Sequence, residues 1–132
     1  AQNAYNNASQ TFAAAGTPVN VLGVLNTDTG CSIDTVTGGF VVASSGLYRI
    51  SYDVTFTAGG AGTATLNAFK DTIALPCADA QVTTAENHIY SLHVETTIYI
   101  PVCCNGAPTI SAVIGGIAGT VTHVCASMVK LA

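Results

Sequence analysis

Three histidines, His88, His93 and His123, and seven carboxylates are the residues of this 132-residue chain that could move protons or hold a metal. His93 and Glu95 stand two apart. Alternate residues of a strand share a face, so one strand could offer both as ligands, with His123 as a third donor if the fold brought it near. The plainer expectation weighs more: His93 and Glu95 form a solvated or hydrogen-bonded surface pair, and His123 faces inward or into an interface. Arg49 and Asp53, four apart on one strand face, read equally as an ion pair between subunits or as a half-exposed pair of little energetic value. Tyr90 and Tyr99 could stack on sugar rings, although with 7% aromatics and no Trp core packing is the better expectation. Nucleophilic catalysis lacks its signatures: there is no G-x-S-x-G elbow, and the acids show no paired spacing for glycoside chemistry. The glycine-rich stretches Gly59–Gly62 and Gly115–Gly119 precede no helix, so they read as turns rather than phosphate cradles. The chain is not expected to be an enzyme, nor to hold a cofactor or metal.

The five cysteines are Cys31, Cys77, Cys103, Cys104 and Cys125. None makes a C-x-x-C, and no Cys/His spacing resembles a zinc module. An odd count leaves at least one thiol unpaired within the chain or paired between chains. The expectation is of mostly buried free thiols acting as small hydrophobes. An extracellular setting would raise the weight of disulfides among these five, with a connectivity that sequence does not give.

Such residues need elements to position them, and composition narrows the choice. Hydrophobic residues make up 49% and charged residues 8%, against about 25% charged in an ordinary globular domain. So few charges leave a surface that is either rich in Thr and Asn or covered by other subunits. The net charge of −4, with Arg49, Lys70 and Lys130 as the fixed cations, excludes the clustered basic residues that nucleic acid requires. No run reaches the roughly 18 apolar residues of a membrane-spanning helix, so membrane insertion is not expected. The chain opens on Ala rather than Met and is read as a processed protein or an excised domain.

From Gly46 to Phe56 the sequence alternates with period two. Tyr48, Ile50, Tyr52, Val54 and Phe56 face one way; Arg49, Ser51, Asp53 and Thr55 face the other. This is a half-buried strand, the organising element of the chain. Further strands are expected at Val19–Leu25, Cys31–Val36, Phe40–Ala43, Thr63–Phe69, Thr72–Cys77, Pro108–Gly115 and Val121–Leu131. The longest is expected over His88–Val102, with a bulge or a bend near Thr96 and Thr97. Its stripe of His88, Tyr90, Leu92, Val94, Thr96, Ile98, Ile100 and Val102 opposes Ile89, Ser91, His93, Glu95, Thr97 and Tyr99. Residues 78–85 read as a polar loop. The last strand places Val121, His123, Cys125, Ser127, Val129 and Leu131 on one face. Turn signals include Asn26–Gly30, Lys70-Asp71 and Asn105-Gly106. Residues 1–15 read as a loosely held lead-in carrying at most a first edge strand, and Asn7-Ala8-Ser9 matches a glycosylation acceptor. Residues 16–132 form one domain. Many short strands and no helical periodicity predict an all-β antiparallel jelly roll of about ten strands.

The run Phe40-x-Val42-x3-Gly46-Leu47-Tyr48-Arg49-Ile50-Ser51-Tyr52-Asp53-Val54 resembles a motif of the C1q/TNF-like superfamily. The chain is most similar to C-terminal domains of bacterial collagen-like proteins of the BclA type, from spore exosporia. The low charge, the Thr, Ala, Gly and Val content and the ending Ser127–Ala132 fit that resemblance, and five cysteines depart from it. The resemblance implies a homotrimer of ten-stranded jelly rolls, carried on a collagen-like stalk N-terminal to Ala1. Tyr48, Arg49, Asp53, His93, Tyr99 and His123 are the candidates for the trimer interface. Three copies of Asp53 or His93 around the axis could gather an ion. The functional expectation is a structural, extracellular head on a bacterial spore or cell surface, nucleating and capping a filament and taking part in adhesion, with a host glycan or protein as ligand. The alternative is the receptor- or glycan-binding tip of a phage fibre built on the same jelly roll.

Overall fold

The structure is a computed structural model that describes residues 2–19, 24–26, 31–33, 39–102 and 107–132. The strand expected at 19–25 is described only at its two ends, and the one expected at 31–36 only at 31–33. The expected turns at 27–30 and 105–106, together with Cys103 and Cys104, lie outside the described residues. Among those described there is no helix, and the strands run in the order β1 (Gln2–Asn6), β2 (Gln10–Phe12), β3 (Thr17–Pro18), β4 (Val24–Asn26), β5 (Cys31–Ile33), β6 (Phe40–Val42), β7 (Gly46–Ala58), β8 (Gly62–Lys70), β9 (Ile73–Thr84), β10 (Ile89–Ile100), β11 (Thr109–Gly115) and β12 (Gly119–Lys130). They form two antiparallel sheets. The first has the order β10-β7-β12-β1-β4, with β2 also paired to β12; the second has β5-β6-β11-β8-β9, with β3 paired to β11.

Strand β7 is the spine of the first sheet, flanked by β10 and β12. Its alternation is realised as expected: the odd-numbered side chains face out and the even-numbered ones pack into the core. The inner faces of both sheets meet there, with Phe40 from β6 edge-on to Tyr52 at 6.1 Å between ring centres. Phe12 stands edge-on to Phe56 at 5.7 Å, and Tyr90 lies tilted against Phe56 at 5.8 Å. Aromatic rings bury large apolar areas, and offset or edge contacts add about 0.5–1.5 kcal/mol per pair. The turn between β11 and β12 depends on Gly116. Its φ of 85° belongs to the left-handed region, and a Cβ there would lie 2.1 Å from the Thr63 carbonyl oxygen.

Three expectations are corrected. Strand β10 pairs with β7 in unbroken register from Ile89 opposite Thr57 to Ile100 opposite Gly46, so no bulge interrupts this ladder near Thr96. A long neighbour supports it along its whole length. The irregularity falls instead in β12, whose register against β7 shifts between Val121 and His123. One extra residue in a strand reverses the facing of everything beyond it. Val121 therefore points inward with Val124, Ala126 and Met128, while Cys125 turns out and is exposed. The third correction is residues 78–85, which carry strand through Thr84 rather than loop. Ala78 and Thr84 alternate with Asp79, Gln81 and Thr83, a weak signal because small and polar residues fill both faces. Cys77 breaks that strand locally with a φ of 60°. The segment read as a lead-in supplies β1 and β2, and β1 sits inside its sheet, between β12 and β4.

Candidate functional site

The outer face of the first sheet gathers most of the residues singled out by type. Cross-strand neighbours there lie about 4.5–5.5 Å apart, whereas residues four apart along a strand are separated by roughly 13 Å. Partners are therefore chosen across the ladder. His93 on β10 lies opposite Asp53 on β7, and its Nδ1–H donates to Asp53 Oδ1 at 2.7 Å. Arg49 Nε approaches Glu95 Oε1 at 3.8 Å, diagonally across the same two strands. Within one chain, neither Arg49–Asp53 nor His93–Glu95 is the bonded pair, each side chain reaching across to the neighbouring strand instead. All four side chains are at least half exposed, so each pair contributes at most about 1 kcal/mol.

Hydroxyl pairs link β7 to β12 on one side and to β10 on the other. Ser51 and Ser127 share a hydrogen bond of 2.7 Å, and Thr55 and Ser91 share one of 3.1 Å. At the near end of β12, His123 is neither inward-facing nor joined to His93. It is half-buried on the outer face, with Nδ1 bonded to Asn7 Oδ1 and Nε2 3.1 Å from Cys125 Sγ. An amide oxygen only accepts, so Nδ1 carries the imidazole proton and Nε2 is free to accept from the thiol. The sequence marked Asn7 only as a glycosylation acceptor, because its contact with His123 depends on the β1–β12 ladder that sets Asn6 opposite Val124. The His123–Cys125 pair did have a signal, the two-residue spacing, but the bulge reverses the face on which it was placed.

Tyr99 is 62% exposed on this face and Leu131, just past β12, is 47% exposed. Tyr48 is corrected: it is 1% exposed inside the chain's own core, its hydroxyl donating to the Ser44 carbonyl at 2.7 Å. Tyr90 is likewise committed, its ring against Phe56 and its hydroxyl accepting from the Ala85 amide. Cys77 and Cys125 are free thiols, and both are exposed rather than buried. Among the described residues no group of three or more His, Cys, Asp or Glu side chains is arranged to hold a metal ion. No described helix is long and apolar enough to cross a membrane.

The chain order of strands and their division between sheets can be set beside solved structures. The globular domain of zebrafish complement 1qA protein superposes with a TM-score of 0.70 at 9% identity, covering 99% of this chain and 96% of that one. The fold is the C1q/TNF-like jelly roll. A structure of Eiger TNF from S. frugiperda superposes with a TM-score of 0.67 at 11% identity, covering 98% of this chain and 92% of that one. No family model matches the chain, and no curated protein matches it significantly. At these identities the likeness is one of fold. Within this C1q/TNF-like jelly roll, five of the six interface candidates, Arg49, Asp53, His93, Tyr99 and His123, share one sheet face.

Proposed function

We propose that the chain is the trimeric head of an extracellular, collagen-like surface filament of the BclA type, and that the outer face of the first sheet turns toward its copies. The observation that carries this is the gathering of those five residues, the exposed Tyr99 among them, on one face, beside the exposed Leu131 just past β12. Charged pairs of both signs, Arg49–Glu95 and His93–Asp53, can exchange partners between identical faces, and a closed ring is the usual outcome for one repeated chain. The mechanism is association rather than chemistry. Three heads held together bring three stalk chains, joined N-terminal to Ala1, into register, and so lower the entropic cost of starting a triple helix.

Light scattering of the purified chain, with and without reductant, tests the reading. The expected mass is three times the 13.3 kDa chain, unchanged by reductant. A trimer dissolved by reductant would assign the assembly to cysteines, and a clean monomer would overturn the head reading. The receptor-tip reading, as on a phage fibre, is favoured by one observation, the exposed Tyr99 ring, which could stack on a sugar. A glycan array separates the two, since a purely structural head retains no sugar.

A further inference from the structure

Three side chains, His123 and Cys125 of β12 and the nearby Asn7, have the arrangement of an activated nucleophile. Such a site needs a nucleophile and a base within hydrogen-bond reach, and a third group that fixes the base. Cys125 Sγ lies 3.1 Å from His123 Nε2, and Asn7 Oδ1 accepts from the opposite ring nitrogen. The Asn7 contact selects the tautomer whose Nε2 lone pair faces the thiol, so the base is set before any reaction begins. We infer that Cys125 is a nucleophilic thiol that takes a mixed disulfide from small-molecule disulfides, with His123 as its base and Asn7 as the positioning residue.

The step balances without any reagent beyond the disulfide. His123 Nε2 takes the thiol proton, Cys125 sulfur attacks one sulfur of R–S–S–R, and a protein–S–S–R bond forms as the second sulfur leaves. His123 returns the proton to that leaving thiolate, giving R–SH; Cys125 is oxidised and the departing half of the disulfide is reduced. The surroundings leave room for the incoming group. Cys125 is exposed, on the outer side of the sheet, with Asp53 of β7 opposite on one side and Tyr5 of β1 opposite on the other. The Asp53 carboxylate, which would oppose a thiolate, is bonded to His93. Cys77 offers an internal reference, being equally free and exposed but with no base bonded to it among the described residues.

The site exists within one chain and does not require the trimer, although association across this face would cover it. The test is incubation of the full chain with oxidised glutathione, followed by peptide mass mapping of each cysteine against time. It is run on the chain itself and on Tyr99→Arg, which places a charge on the same face, away from the thiol, to oppose association. Since exchange follows thiolate availability, Cys125 is expected to acquire the adduct about tenfold faster than Cys77 in at least one of the two chains. His123→Gln should bring Cys125 down to the rate of Cys77. Asn7→Ala should slow it and Asn7→Asp, which keeps an acceptor on Nδ1, should restore it, a pattern that loss of structure would not give. Cys125 reacting no faster than Cys77 in both chains overturns the inference. A chain that scatters as a monomer yet reacts fast at Cys125 removes the head reading and leaves this one standing.

Discussion

On the inner face of β7, Tyr48, Ile50, Tyr52, Val54 and Phe56 are each 0–1% exposed, while on its outer face Arg49 and Asp53 keep half or more of their side chains in water. The two faces belong to the same thirteen residues and differ by one step of register. Water is excluded from one and screens the other. A fully buried Ile, Val or Phe side chain stabilises the fold by about 1.5–3 kcal/mol, and an exposed ion pair by about 0–1 kcal/mol. Stability and surface recognition are therefore physically separable along a single strand, and substitutions on the two faces should report on different measurements.

The largest effect is expected at Phe56→Ala. It removes the ring that Phe12 and Tyr90 both pack against, and should lower unfolding free energy by about 3–5 kcal/mol in urea denaturation. A loss below about 1 kcal/mol would mean that the inner face is not the seat of stability. Tyr52→Phe probes the same face in the opposite sense. Among the described residues its buried hydroxyl has no hydrogen-bond partner, so deleting it should leave stability unchanged or raise it by up to about 1 kcal/mol.

Burial also pushes the Tyr52 phenol well above its ordinary value. The unfolded chain releases that proton near about pH 10 while the folded chain holds it, so the unfolded state gains as pH climbs. Stability present below about pH 10 should fall through the alkaline range, and less steeply in Tyr52→Phe. The smallest effect on stability belongs to the outer face. Asp53→Asn should shift unfolding by less than about 0.5 kcal/mol, yet weaken association measured by concentration-dependent light scattering. An equal loss in both measurements would erase the distinction between the faces.

What the sequence conveyed follows the same division. The alternation of Tyr48 to Phe56 and of Tyr90 to Ile100 placed two long strands and their core faces, because a period of two leaves no other arrangement for so many large apolar residues. It was weaker where side chains are small, so Ala78 to Thr84 read as loop. It failed where an irregularity intervenes: nothing in Val121-Thr122-His123 announces a bulge, yet that single residue decides that Cys125 meets solvent. Pairing across the outer face was equally hidden. Asp53 to His93 and Arg49 to Glu95 are set by which strands become neighbours, a property of the whole ladder rather than of any local spacing.

The register of β1 against β12 has a mechanical consequence. Gln2 lies opposite Met128, so the two ends of the described chain leave from the same end of adjacent antiparallel strands. Tension applied between those ends would open the five rungs from Gln2 to Asn6 one after another, as a zipper parts, instead of loading them together in shear. A pull entering through residue 2 alone and opposed elsewhere on the domain strains a strand held on both sides, by β12 and by β4. A pull shared between the two ends therefore meets its rungs singly, whereas a pull through residue 2 alone meets two ladders.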